Sequence, residues 1–130
     1  MINRRFALLA GVAFLVSTIA FELPTDAKGG GGEVRLIAFL GGSPTQPLAS
    51  GKAVYRKRDT SVRLSVEVED LRGVRRVNVS VGGVNVGSAR VAAGTADLNL
   101  SGGAVPAVTT GTVVQVFDAR TGQVVAEGTF

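Results

Sequence analysis

Cysteine, histidine and tryptophan are absent from this chain of 130 residues. Without histidine or cysteine, the chain lacks the usual general base near neutral pH, the thiol nucleophile and the most common ligands of transition metals. Without cysteine it also lacks the disulfides that stabilise many small exported domains. We therefore predict a protein that is not an enzyme, has no metal site and no cofactor, and depends on packing and strand pairing for its stability.

Aromatic residues are scarce. One tyrosine and six phenylalanines make up 5% of the chain, and three of the phenylalanines precede residue 22. Proteins that bind single-stranded nucleic acid stack successive bases on aromatic side chains. The shortage of such side chains argues against nucleic acid as the partner.

The first 27 residues have the order of a secretory signal peptide. Arg4 and Arg5 form a short basic start, and an uncharged apolar run follows from Phe6 to Phe21. This run is shorter than the ~20 residues needed to cross a hydrocarbon core. We therefore predict a signal peptide over residues 1–27, cleaved after Ala27. The alternative is an uncleaved N-terminal anchor, and both interpretations export the domain to the periplasm, the cell surface or the medium.

Residues 28–32 read Lys-Gly-Gly-Gly-Gly and predict a flexible linker, with the folded domain over residues 33–130. Alternation of apolar and polar residues dominates that domain. The clearest run has valine or leucine at positions 62, 64, 66 and 68, the pattern of a strand with one buried face. Gly82 and Gly83 separate two further runs and predict a two-residue hairpin.

These patterns give about eight short strands and no amphipathic helix. They predict an antiparallel β-sandwich, immunoglobulin-like with Greek-key connections, and a small barrel is the alternative. The final hairpin is expected to turn at 117–122, with the carboxylate of Asp118 folded onto the amides of the turn and Gly122 at positive φ. Phe130 is expected to pack its ring into the end of the core.

Basic residues form two groups along the chain, and the formal net charge is +4. A basic surface attracts acidic polysaccharide or lipid head groups, but net charge also keeps a sheet protein soluble. The candidate patch for an anionic ligand consists of Arg56, Lys57, Arg58, Arg72, Arg75 and Arg76.

Glu67 and Glu69 are the best candidates for acid and base chemistry. They fall on the same face of a predicted strand, about 7 Å apart by strand geometry, as a carboxylate-based hydrolase would need. The alternative is a solvated strand face on which Glu67 opposes a basic residue of the neighbouring strand.

From Gly51 onward the chain resembles a loosely defined family of small exported bacterial β domains. The resemblance lies in the turn and core segments Ser50-Gly51-Lys52-Ala53, Val66-Glu67-Val68-Glu69, Val77-Asn78-Val79, Gly83-Val84-Asn85-Val86-Gly87, Val105-Pro106-Ala107-Val108 and Gly128-Thr129-Phe130. It implies a β fold and export, and it implies no activity.

The expected function is that of an exported, non-catalytic structural or binding module of the cell envelope or extracellular space. A second hypothesis is an adhesive or fibre-forming subunit that self-associates through its edge strands. The strand to be donated would be 33–40 or 123–130. The carboxylate-based hydrolase is a third hypothesis.

Overall fold

A computed structural model describes residues 32–130. The predicted signal peptide and residues 28–31 of the predicted linker lie outside the described residues. The described chain forms eight strands and one short 3₁₀ turn. The strands are β1 (Glu33–Gly42), β2 (Ser50–Arg58), β3 (Ser61–Glu69), β4 (Arg76–Val81), β5 (Val84–Arg90), β6 (Ala96–Ser101), β7 (Val113–Asp118) and β8 (Val124–Thr129).

All eight strands belong to one sheet, in the order β5-β4-β7-β8-β1-β2-β3-β6. Antiparallel pairing joins β2 to β3, β3 to β6, β4 to β5 and β7, and β8 to β7 and β1. The prediction of an antiparallel, all-β domain of about eight strands is confirmed. The two separate layers and the Greek-key connections of a sandwich are not confirmed, because the strands form one continuous sheet.

The two strands at the ends of this order lie beside each other, so the sheet curls into a nearly closed barrel. Leu98 of β6 lies so near Gly87 of β5 that a Cβ at Gly87 would come within 3.3 Å of its methyl groups. No ladder hydrogen bonds join β5 to β6 among the described strands. These two strands are therefore the free edges, whereas β1 and β8 each have a neighbour on both sides.

The alternation of apolar and polar residues in the sequence corresponds to the alternation of buried and exposed residues along the strands. In β3, Leu64, Val66 and Val68 are buried, while Arg63 and Ser65 on either side of Leu64 are exposed. The inward residues of all the strands meet in one core. Its largest fully buried side chains are Leu64, Val68, Val77, Val79, Val81, Val114, Val116 and Val125.

Two hairpin turns have the geometry that their residues predict. Gly82 and Gly83 join β4 to β5 with φ of 60° and 82°, as a two-residue hairpin requires. In the final hairpin, Oδ1 of Asp118 accepts the N–H of Arg120 at 2.8 Å, and Gly122 has φ of 77°. Both predicted turns are confirmed.

Phe130 follows β8 and packs, partly buried, against the core. Its backbone N–H donates to the carbonyl of Thr112 at 2.9 Å, and its carbonyl oxygen accepts the N–H of Gly111 at 2.7 Å. The prediction that its ring packs at the end of the core is confirmed. These backbone bonds fix the last residue of the chain to the segment that leads into β7.

Candidate anion-binding site

Four connections meet at one end of the barrel: residues 43–49, 70–75, 91–95 and 119–123. We call this end the loop platform. Hydrogen bonds tie its segments together. Gln46 donates its side-chain N–H to the carbonyl of Arg72 at 2.8 Å and accepts the Arg72 N–H at 2.9 Å. The Leu71 N–H donates to the carbonyl of Gly94 at 3.0 Å.

Two further bonds attach the platform to neighbouring strands and loops. The N–H of Val91 donates to the carbonyl of Arg75 at 2.8 Å, and the N–H of Ala119 donates to the carbonyl of Arg76 at 2.9 Å. The carbonyls of Arg75 and Arg76 thus accept hydrogen bonds from the loops on either side of β4. Their side chains stay exposed. Loops held in this way by a rigid sheet are common positions for binding residues.

The arginines of the platform surround two adjoining hollows. The β4–β5 hollow has a volume of about 360 Å³ and is lined by Arg75, Arg76, Arg90 and Val91. The β4–β7 hollow has a volume of about 260 Å³ and is lined by Gly73, Arg75, Arg76, Asp118, Ala119 and Arg120. Two of the arginines therefore line both hollows, and each hollow has three arginines in its lining.

These arginines form no ion pairs within the described residues. The side chain of Arg76 donates to the neutral hydroxyl of Ser88 at 3.2 Å. Across residues 32–130, no carboxylate forms an ion pair with Arg75, Arg76, Arg90 or Arg120. Arg76 and Arg90 are moreover direct cross-strand partners. Like charges in that position destabilise a sheet, and a bound anion would reduce this repulsion.

The six residues of the predicted patch do not form one surface. Arg72, Arg75 and Arg76 lie at the platform, where β3 ends and β4 begins. Arg56, Lys57 and Arg58 lie at the opposite end, where β2 turns into β3. The length of β3, about 26 Å for its nine residues, separates the two groups.

The site includes two arginines that the predicted patch omits. Arg90 ends β5 and Arg120 lies in the β7–β8 turn, more than ten residues from the other arginines of the platform. Pairing of β4 with β5 and with β7 brings them together. Arg72 bonds to the side chain of Gln46 through its backbone N–H and carbonyl. It does not line either hollow.

The carboxylates proposed for hydrolysis lie elsewhere, on the outer face of β3. Glu67 is the cross-strand partner of Lys52 on β2 and of Asp97 on β6, and Glu69 is the partner of Ser50. The predicted basic residue opposite Glu67 is thus present. The two glutamates line an open hollow that also includes the exposed ring of Phe39.

One turn of the platform is strained. Ala93 has φ of 52°, a left-handed conformation that alanine rarely adopts, and Gly94 follows at 78°. Ala92 and Thr95 bond to each other on both sides of this pair, at 2.9 and 3.0 Å. The turn therefore has the backbone of a hairpin turn in which Asn-Gly is preferred.

We expect Ala93→Asn to raise the free energy of unfolding by about 0.5–1 kcal/mol, because asparagine tolerates positive φ better than alanine. Chemical denaturation of the full chain measures the change. Ala92→Asn is the matched control, since φ at Ala92 is not positive, and it should give no gain. Equal effects of the two substitutions would show that the turn is not strained at Ala93.

Comparisons with protein-family models, curated proteins and solved structures return no match. Within residues 32–130, no three histidine, cysteine, aspartate or glutamate side chains are grouped as a metal ion would need. The same residues form no helix of the length and hydropathy that would span a membrane.

Proposed function

We propose that this protein is an exported, non-catalytic binding module whose ligand is anionic. The observation that carries the proposal is the set of four arginines at the loop platform, none of which forms an ion pair with a carboxylate among residues 32–130. Guanidinium groups bind carboxylates, sulfates and phosphates in paired hydrogen bonds. A hydrogen-bonded platform presents these groups with little loss of backbone entropy on binding.

Export is supported by the order of the first 27 residues, in which two arginines precede an uncharged apolar run. Cleavage after Ala27 would release a protein that begins at Lys28. Expression of the full chain in a bacterium and mass spectrometry of the secreted or periplasmic fraction test this proposal. An intact chain in the membrane fraction would support the anchor instead, and an intact chain in the cytosol would contradict export.

Titration of the full chain with sodium galacturonate, followed by NMR, tests anion binding at the platform. We expect the largest shifts at residues 73–76, 90–91 and 118–120, with an apparent affinity that falls as salt rises, because salt screens exposed charges. Neutral galactose is the control ligand and should cause no such shifts. Shifts spread over every basic residue, including Arg56, Lys57 and Arg58, would contradict a site at the platform.

Self-assembly through strand edges is the second candidate function. The free edges β5 and β6 favour it, because unpaired strand edges can pair with another chain. Neither of the segments expected as donors, 33–40 and 123–130, is an edge of the sheet, so donation would require one of them to leave its pairs. Light scattering over a range of protein concentrations would detect such polymers, and a monomer throughout would exclude them.

A further inference from the structure

The two hollows of the platform lie side by side. Arg90 lines the β4–β5 hollow and Arg120 lines the β4–β7 hollow, while Arg75 and Arg76 line both. Since β5 and β7 are the two neighbours of β4 in the sheet, the hollows are about one strand spacing, 4.8 Å, apart. A ligand that fills both needs two negative groups at about this spacing, such as those on consecutive units of a chain.

The two hollows differ in charge. Among residues 32–130, three arginines and no carboxylate line the β4–β5 hollow. The β4–β7 hollow adds Asp118, which is half-buried. One oxygen of this carboxylate accepts the Arg120 N–H at 2.8 Å, and the other has no hydrogen-bond donor within the described residues.

Asp118 restricts what the β4–β7 hollow can bind. Its carboxylate repels a bare anion, because like charges that close disfavour each other. A ligand unit that offers a hydroxyl donor beside its negative group avoids this repulsion, because the free oxygen of Asp118 can accept the hydroxyl. A uronic acid carries a carboxylate and hydroxyls on one rigid sugar ring, whereas a phosphodiester group itself carries a charge and no donor.

We infer that the platform binds a linear acidic polysaccharide, with consecutive uronic acid residues in the two hollows. One carboxylate binds the arginines of the β4–β5 hollow. The next residue places its carboxylate on Arg120 and a hydroxyl on Asp118. This inference rests on the proposed function and adds to it the class of ligand and the number of sugar residues recognised.

Binding of galacturonic acid and of its dimer and trimer to the full chain, measured by calorimetry at low salt, tests the inference. We expect the affinity to rise roughly 10²-fold from one residue to two, because the second carboxylate binds within the same complex. The trimer should bind little more tightly than the dimer. Pyrophosphate, which has two phosphate groups and no sugar hydroxyl, should bind more weakly than the dimer.

Single substitutions test the contribution of each hollow to binding. Arg90→Gln should weaken binding of the dimer roughly 10- to 100-fold, the loss expected when a hydrogen bond to a charged group is removed. Lys57→Gln removes the same charge at the opposite end of the sheet and should have no such effect. Asp118→Asn should strengthen binding of pyrophosphate, because it removes a negative charge from the hollow and retains an acceptor oxygen. Thermal unfolding of each variant confirms that it folds.

The outcomes distinguish this inference from the proposed function. Equal affinity for the monomer and the dimer would overturn recognition of two residues and leave anion binding intact. Tighter binding to pyrophosphate or to phosphatidylglycerol vesicles than to the dimer would overturn the sugar acid and indicate a phosphate ligand. Failure to bind any of these anions at low salt would contradict the proposed function itself.

Discussion

Gly51→Ala is expected to destabilise the domain by about 1–3 kcal/mol, the range for an added group that a packed structure cannot accommodate. Gly51 lies in β2 opposite Val68 of β3. A Cβ at Gly51 would overlap the backbone carbonyl oxygen of Glu67 and come within 3.0 Å of the Cα of Val68. Both are backbone atoms of the paired strand, so the collision is relieved only if β2 and β3 separate.

Gly41→Ala is the matched control for this substitution. Gly41 is also a strand residue, in β1, but a Cβ there meets nothing within 4 Å, and its φ is not positive. We expect it to be neutral, or to stabilise by about 0.4–1 kcal/mol through the entropy of the unfolded chain. Chemical denaturation of the full chain measures both. Equal destabilisation by the two would show that glycine at position 51 is not required by the approach of β3.

Leu64→Ala is expected to cost about 2–5 kcal/mol, the range for removal of a buried leucine side chain. Leu64 is fully buried at the middle of β3, between Tyr55 of β2 and Leu100 of β6. Domains of this size are stable by only about 5–15 kcal/mol. The substitution should therefore lower the melting temperature by about 10 °C or more.

Leu48→Ala makes the same chemical change at an exposed position. Leu48 is 60% exposed in the connection between β1 and β2, so we expect a change within about 0.5 kcal/mol. Circular dichroism during heating compares the two variants. A loss at Leu64 no larger than the loss at Leu48 would mean that β3 does not run through the core.

The strands could be predicted from the sequence because their alternation is local. In β3 each inward residue is valine or leucine, so the pattern alone identifies the strand and its buried face. The order of the strands in the sheet could not be predicted in this way. It depends on pairings such as β3 with β6 and β4 with β7, whose residues lie about 35 positions apart in the chain.

The candidate site depends on the register of β4 with β5, which differs from that of a regular hairpin. From Val81 opposite Val84, a regular hairpin would place Arg76 opposite Ala89. A bulge between Val79 and Ser80 shifts the register by one residue and makes Arg90 the partner. Because side chains alternate between the two faces of a strand, this single residue decides whether Arg90 joins Arg76.

The length of β3 explains why the predicted patch separates into two groups. Arg58 and Arg72 are close in the sequence, and a list of basic residues groups them together. The strand between them, β3, is nine residues long, so the two groups lie at opposite ends of the barrel. Sequence proximity of charges thus indicates a shared surface only when no complete strand intervenes.

Retention of two double variants of the full chain on immobilised polygalacturonate would show whether the platform arginines bind the anion. Arg75→Gln with Arg76→Gln removes two charges from the platform, and Lys57→Gln with Arg58→Gln removes two from the opposite end. Both proteins have the same net charge. We expect the platform variant to elute at much lower salt than the unmodified chain, and the other variant to elute close to it. Equal shifts for the two variants would rule out a site at the platform, because net charge would then determine binding.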